Sequence, residues 1–190
     1  MIKTKSGNNP KISQGDIYRN IDYIENVCEN NGIIEVSKIE FPLIVILSQD
    51  CDLTWDYKNR YGRPKKNNQD KFMFSILCAP LYNVEHLIEG NHLELLNQKM
   101  QIIPKYSKRD LSTQYKALIN NEIPRYHYLE FPKRIPIVPS VIDFKHYFTV
   151  STKALKEKKD TSFVCKVAEL FREDITLRFS NYLSRIGLPS

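Results

Sequence analysis

The chain has 190 residues, 42% hydrophobic and 26% charged, a globular balance that excludes disorder over most of its length and suits one sizeable core. Its formal net charge of +6 is a mild pull toward polyanions and excludes nothing alone. No apolar run approaches the ~20 residues that a membrane-spanning helix needs. The basic N-terminus has no apolar stretch behind it, so a soluble, cytoplasmic protein is expected.

Residues 1–11 are polar, with Gly7-Asn8-Asn9-Pro10 reading as a flexible tail, and a single α+β domain is expected over 12–190. From Asp16 an imperfect alternation, with Ile17, Ile21 and Tyr23 on one parity, predicts a strand. Asn31-Gly32 predicts a turn, because both residues tolerate positive φ, and residues 33–41 resume the alternation. Pro42 interrupts it. Leu43-Ile44-Val45-Ile46-Leu47 follows, apolar at every position as in a central strand buried on both faces.

Residues 71–79 form another β-prone run that Pro80 ends. Val84, Leu87 and Ile88 have helical spacing, cut short by Gly90-Asn91, and Leu111, Tyr115, Leu118 and Ile119 predict a second short helix. Residues 125–131 alternate again, and 141–150 read as the last long strand or pair of strands. Ile175, Phe179, Tyr182, Leu183 and Ile186 mark one face of a helix, with Glu173 and Asp174 in its first turn and Arg185 in its last. Gly187 and Pro189 are its stop signal. The expected fold is α+β: a small curled β-sheet or SH3-like barrel with short helical insertions and a C-terminal amphipathic helix.

Cys28, Cys51, Cys78 and Cys165 are scattered, without the paired spacing of a structural zinc site, so reduced thiols are expected. No motif specifies a cofactor or a metal.

Ser48-Gln49-Asp50-Cys51-Asp52 leaves the core strand at its C-terminal end, where a sheet fixes side chains rigidly at its rim. If the strand continues, Ser48, Asp50 and Asp52 share a face and Cys51 turns toward the core. Three readings stay open. Asp50 and Asp52 hold a divalent metal or act as acid and base. Cys51 is a nucleophile activated by His127 in its strand, with His146 the second choice and His86 and His92 in a less ordered stretch. Or the thiol is packing and the aspartates cap the next segment. Two flanking carboxylates raise a thiol's pKa, which works against the nucleophile.

Residues 53–71 hold six basic and two acidic residues. The segment 55–71 reads as an insertion loop in which Trp55, Tyr57 and Tyr61 are interleaved with Lys58, Arg60, Arg63, Lys65, Lys66 and Lys71. Rings for stacking beside cations for phosphate suit single-stranded nucleic acid; the bland alternative is a solvated loop.

Gly15-Asp16-Ile17, then a strand, a turn, a second strand and Phe41-Pro42-Leu43-Ile44-Val45-Ile46-Leu47-Ser48 resemble the opening of the MazF/PemK toxin family, over roughly residues 12–55. The resemblance implies an SH3-like barrel that cuts single-stranded RNA. That family's functional arginine before the proline is Phe41 here, so the family's activity does not carry over, even where the barrel does. Residues 48–52 and the ending 178–189 are also similar to uncharacterised bacterial mobile-element and defence proteins. The expected function is contact with RNA or other nucleic acid in a bacterial conflict or regulatory system, with Asp50 and Asp52 as the polar site of an RNA-cleaving enzyme. The alternatives are an interaction or sensor module that binds a protein partner, and a cysteine hydrolase using Cys51 with His127.

Overall fold

A computed structural model describes residues 3–5, 10–63 and 68–185. In chain order the elements are β1 (Thr4–Lys5), β2 (Asp16–Asn30), β3 (Ile33–Ile46), α1 (Asp50–Tyr61), β4 (Ser75–Asn83) and α2 (Val84–Ile88). Next come β5 (Tyr106–Ser107), β6 (Asp110–Leu111), α3 (Thr113–Ile119), β7 (Tyr126–Leu129) and β8 (Ser140–Asp143). After them come β9 (Phe148–Ser151), α4 (Thr152–Ser162), β10 (Phe163–Val167) and α5 (Glu169–Leu183). The fold is α+β, as the sequence predicts, and these strands pair antiparallel. The described residues fall into two compact units, one within 5–80 and 147–166, the other within 1–4, 81–146 and 167–190.

The first unit is a sheet in the order β10-β2-β3-β4-β9. Asn31 and Gly32, at φ 52° and 78°, make the tight turn between β2 and β3, where both positions demand left-handed backbone. The apolar run pairs on both sides: Ile44 with Tyr18 and Pro80, Val45 with Ile17 and Ala79. Ile44, Val45 and Ile46 are almost wholly buried, as a central strand requires. Pro42 does not break β3. It falls between the Phe41–Ile21 and Leu43–Arg19 pairs, and Asn20 on the facing strand takes φ 55°, a local kink that absorbs the missing N–H. The sheet curls strongly. Phe148 on β9 packs its ring 4.9 Å from Phe41 on β3 and 5.5 Å from Tyr23 on β2, three places away in strand order. Beyond that contact the distal half of the hairpin leaves Val27, Ile33, Ile34 and Val36 exposed.

Pro80 does not end β4 either; it stands where the strand changes partner, pairing before it with β3 and β9 and after it with β8. In the second unit Leu81, Tyr82 and Asn83 pair with β8, and β8 pairs with β7. Leu87, Leu118, Leu129, Ile142, Phe144, Ile175 and Phe179 form its core. α5 begins at Glu169, so Glu173 and Asp174 lie beyond its first turn. Its Ile175 and Phe179 are buried as the stripe predicts, but Leu183 is largely exposed and Arg185 lies past the end of the helix; Ile186, Gly187 and Pro189 lie outside the described residues. α4 and β10 have no counterpart among the predicted elements. Of the expected tail over 1–11, Thr4 is a buried strand residue and Lys11 is bonded to Asp50, while residues 1–2 and 6–9 lie outside the described residues. No helix among the described residues is long and apolar enough to cross a membrane.

Candidate functional site

After Ile46 the chain stays on the sheet for only two residues. The Leu47 and Ser48 N–H groups donate to the Leu77 carbonyl, and Ser48 Oγ accepts from the Leu77 N–H at 2.8 Å. Gln49 then turns at φ −62°, ψ 139°, and α1 starts at Asp50. Asp50 and Asp52 in its first turn complement the positive end of the helix. Strand parity therefore stops short of this segment. Cys51 is exposed rather than turned into the core, its Sγ beside Gln49 Oε1 at 3.5 Å and Asp52 Oδ1 at 3.8 Å. Cys78 and Cys165 are the buried thiols.

Asp50 is tied down. Its Oδ2 accepts from Lys11 Nζ at 3.0 Å and its Oδ1 from the Gln14 N–H at 3.3 Å, while Lys11 also donates to Thr54 Oγ1 at 2.6 Å. Partial burial works against its charge, but Lys11 outweighs that and holds the carboxyl below its usual range. Asp52 is exposed, and a two-residue step on a helix turns the two carboxylates apart. His127 is buried in β7 of the other unit, its Nε2 4.0 Å from Asp174 Oδ2. Burial, reinforced by the charge of Arg178, pushes its pKa down to about 3. Arg178 itself donates to the Ile123 and Tyr126 carbonyls.

The basic segment opens as a helix and not a loop. Trp55, Lys58 and Arg60 belong to α1, Arg63 is exposed just beyond it, and Lys65 and Lys66 lie outside the described residues. The buried face of α1 carries Leu53, Asp56 and Asn59. Asp56 is a buried hub: Oδ1 accepts from Arg60 Nε at 2.7 Å and from the Met73 N–H at 2.8 Å, and Oδ2 from Lys156 Nζ at 3.1 Å. Burial opposes the charge, yet these three donors keep the Asp56 carboxyl below the ordinary range. Arg60 therefore has a structural task; its guanidinium also lies 4.1 Å from the Phe72 ring and donates to the Met73 carbonyl.

Through Asp56 the start of α4 is drawn against the end of α1, and an open groove of about 790 Å³ lies there. Arg60, Lys153 and Lys156 supply its cations and Tyr61, Phe72 and Phe74 its rings. Phe74 is 95% exposed, and Tyr61 is 58% exposed with the Lys156 ammonium 4.6 Å from its ring. An aromatic ring left wholly in water beside cations is the part of this surface that packing does not explain. Asp70 and Glu157 also line the groove. Residues 53–71 and 152–162 together hold ten basic and four acidic residues, an excess equal to that of the whole chain. Half of this was legible: the sequence points to the 55–71 segment but not to Phe74 or to the α4 lysines.

In the second unit His92, Asp143 and His146 converge, their donor atoms within 4.8 Å of one another. Asp143, wholly buried, is gripped by both Arg125 Nε and Nη2 and accepts from the Lys145 N–H at 3.0 Å. His146 Nδ1 is 3.0 Å from the Tyr82 hydroxyl and 3.4 Å from Asp143 Oδ2. Both ring nitrogens of His92 are buried without a well-formed hydrogen bond, although the His86 carbonyl is near enough to favour its protonated form. Only the Asp143–His146 spacing was visible in the sequence; His92 is brought in by the turn after α2. The chain matches no known family model, no curated protein and no solved structure.

Proposed function

We propose that the groove between the end of α1 and the start of α4 contacts single-stranded RNA. The observation that carries this reading is Phe74, a ring almost fully in water among Lys153, Lys156 and Tyr61. A base stacks on such a ring without regard to sequence, while the lysines neutralise the phosphates on either side. The charge excess of the two flanking segments supplies the longer-range attraction. The bacterial conflict or regulatory setting belongs to the same proposal and draws its support from the sequence resemblance, which does not extend to the family's activity.

The test is fluorescence anisotropy with a labelled single-stranded oligoribonucleotide. Binding should weaken as salt rises, and Phe74→Ala should lower affinity by roughly 5- to 150-fold, the effect of one lost stacking ring at about 1–3 kcal/mol. Lys153→Glu should weaken binding and flatten its salt dependence. These two residues are chosen because neither is part of the Asp56 hub, so the fold stays intact. Affinity unchanged in both variants would sink the proposal. The RNA recovered from the same mixtures, run on a denaturing gel, separates binding from cleavage.

A further inference from the structure

We propose that His92, Asp143 and His146 form a binding site for a divalent transition-metal cation of the zinc class. Two imidazole nitrogens and one carboxylate oxygen suit zinc and its neighbours, whereas calcium and magnesium prefer oxygen donors throughout. The three donor atoms lie within 4.8 Å of one another. Around a tetrahedral ion at about 2.0–2.2 Å, donors stand roughly 3.4 Å apart, so the cluster has to draw in by little more than an ångström.

Asp143 and His92 are free to do so, while His146 already holds the Tyr82 hydroxyl 3.0 Å from its Nδ1. A carboxylate has about four lone pairs. On Asp143, Oδ1 accepts from Arg125 Nε and the Lys145 N–H, and Oδ2 from Arg125 Nη2. That accounting leaves a lone pair on Oδ2, the oxygen 3.4 Å from His146. Arg125 fixes the carboxylate's orientation, as outer partners of metal ligands do. His92 brings two buried nitrogens with no well-formed hydrogen bond, an arrangement that costs free energy unless a partner arrives. Burial lowers the pKa of His92 to about 4 and lowers that of His146 as well. Both rings are therefore neutral at pH 7, and no proton has to leave before the ion binds. His146 is one-fifth exposed, which gives an approach from water, and three protein donors keep one coordination position open.

The experiment is calorimetric titration of Zn²⁺ into the full chain carrying Cys28→Ser and Cys51→Ser, which removes the two exposed thiols. One equivalent should bind, and Co²⁺ in its place should give the visible absorption of a low-symmetry nitrogen–oxygen site. His92→Gln should weaken Zn²⁺ binding at least tenfold and abolish the Co²⁺ spectrum; His86→Gln, on an exposed histidine, should change neither. His92 makes no well-formed hydrogen bond that its replacement would break, so the variant is expected to fold, and circular dichroism checks this. His146→Gln provides a second ligand loss. The proposal is overturned by the absence of stoichiometric Zn²⁺ binding, or by binding that His92→Gln and His146→Gln leave unchanged.

Discussion

Asp16 is a residue at which the fold works against a charge. It is 3% exposed, and its Oδ2 accepts from the Ser13 N–H at 2.8 Å and from the Tyr18 hydroxyl at 3.3 Å. Burial dominates, raising its pKa from the model-compound value of 3.8 to about 6 despite those bonds. A carboxyl raised in the folded state binds its proton more tightly there. Its contribution to stability is complete below about pH 3.8 and is lost as pH rises through about 6. Asp56, held below the ordinary range, works in the opposite sense: its contribution is present above about pH 3.8 and is lost only as the pH falls further. The buried histidines, lowered in pKa, also lose stability as pH falls, so Asp16 is isolated only by difference. Asp16→Asn should gain thermal stability relative to the wild type as pH rises from 4 to 7, by scanning calorimetry at each pH. A difference that does not vary with pH would contradict this. At this scale the sequence misleads where a neighbour in space decides. Strand parity turns Cys51 inward, yet it is exposed because the chain has already turned into α1. No spacing rule could join His92 to residues some 50 positions on.

Among the short elements, α2 depends on its terminating glycine. Gly90, at φ 75°, donates to the Leu87 carbonyl and accepts from the Met100 N–H. An added Cβ would stand 2.4 Å from the Met100 carbonyl oxygen, which is backbone and cannot yield cheaply. Gly90→Ala should cost about 1–3 kcal/mol, read as a fall in the urea midpoint. Gly32→Ala, at φ 78° with nothing within 4 Å, carries only the backbone term and should cost less. Equal losses would show that the Met100 contact is irrelevant. Elements with apolar buried faces were legible: the β3 core run, the α2 stripe and the Ile175–Phe179 face of α5. α1 and α4 were not. α1 buries Leu53, Asp56 and Asn59, and α4 buries Thr152, Leu155, Lys159 and Ser162, so each hides one apolar residue among polar ones. Hydrophobic periodicity is silent for such helices; buried ion pairs and hydrogen bonds hold them instead.

For the molecule as a whole, the controlling fact is the path of the chain between the two units. It passes from one to the other after Thr4, Pro80, His146 and Lys166. Three of these passages fall within β1, β4 and β10, so no Gly- or Pro-rich linker announces a boundary and the composition reads as continuous. Neither unit is a contiguous stretch of sequence. A chain ending at His146 lacks β9, α4 and β10, and with them the buried Phe148, Val150, Leu155 and Cys165 of the first unit. Such a truncation should show no cooperative urea transition, whereas the full chain should; a cooperative transition in the truncated chain would overturn this. The same interlacing sets a timetable at the ribosome. Residues 84–147 are made after β2 and β4 and before β9 and β10, so the edges that β10 and β9 will occupy stay open in the interval. Synthesis at roughly 5–20 residues per second leaves these edges bare for several seconds, long enough for a neighbouring nascent chain to pair with them unless a chaperone intervenes.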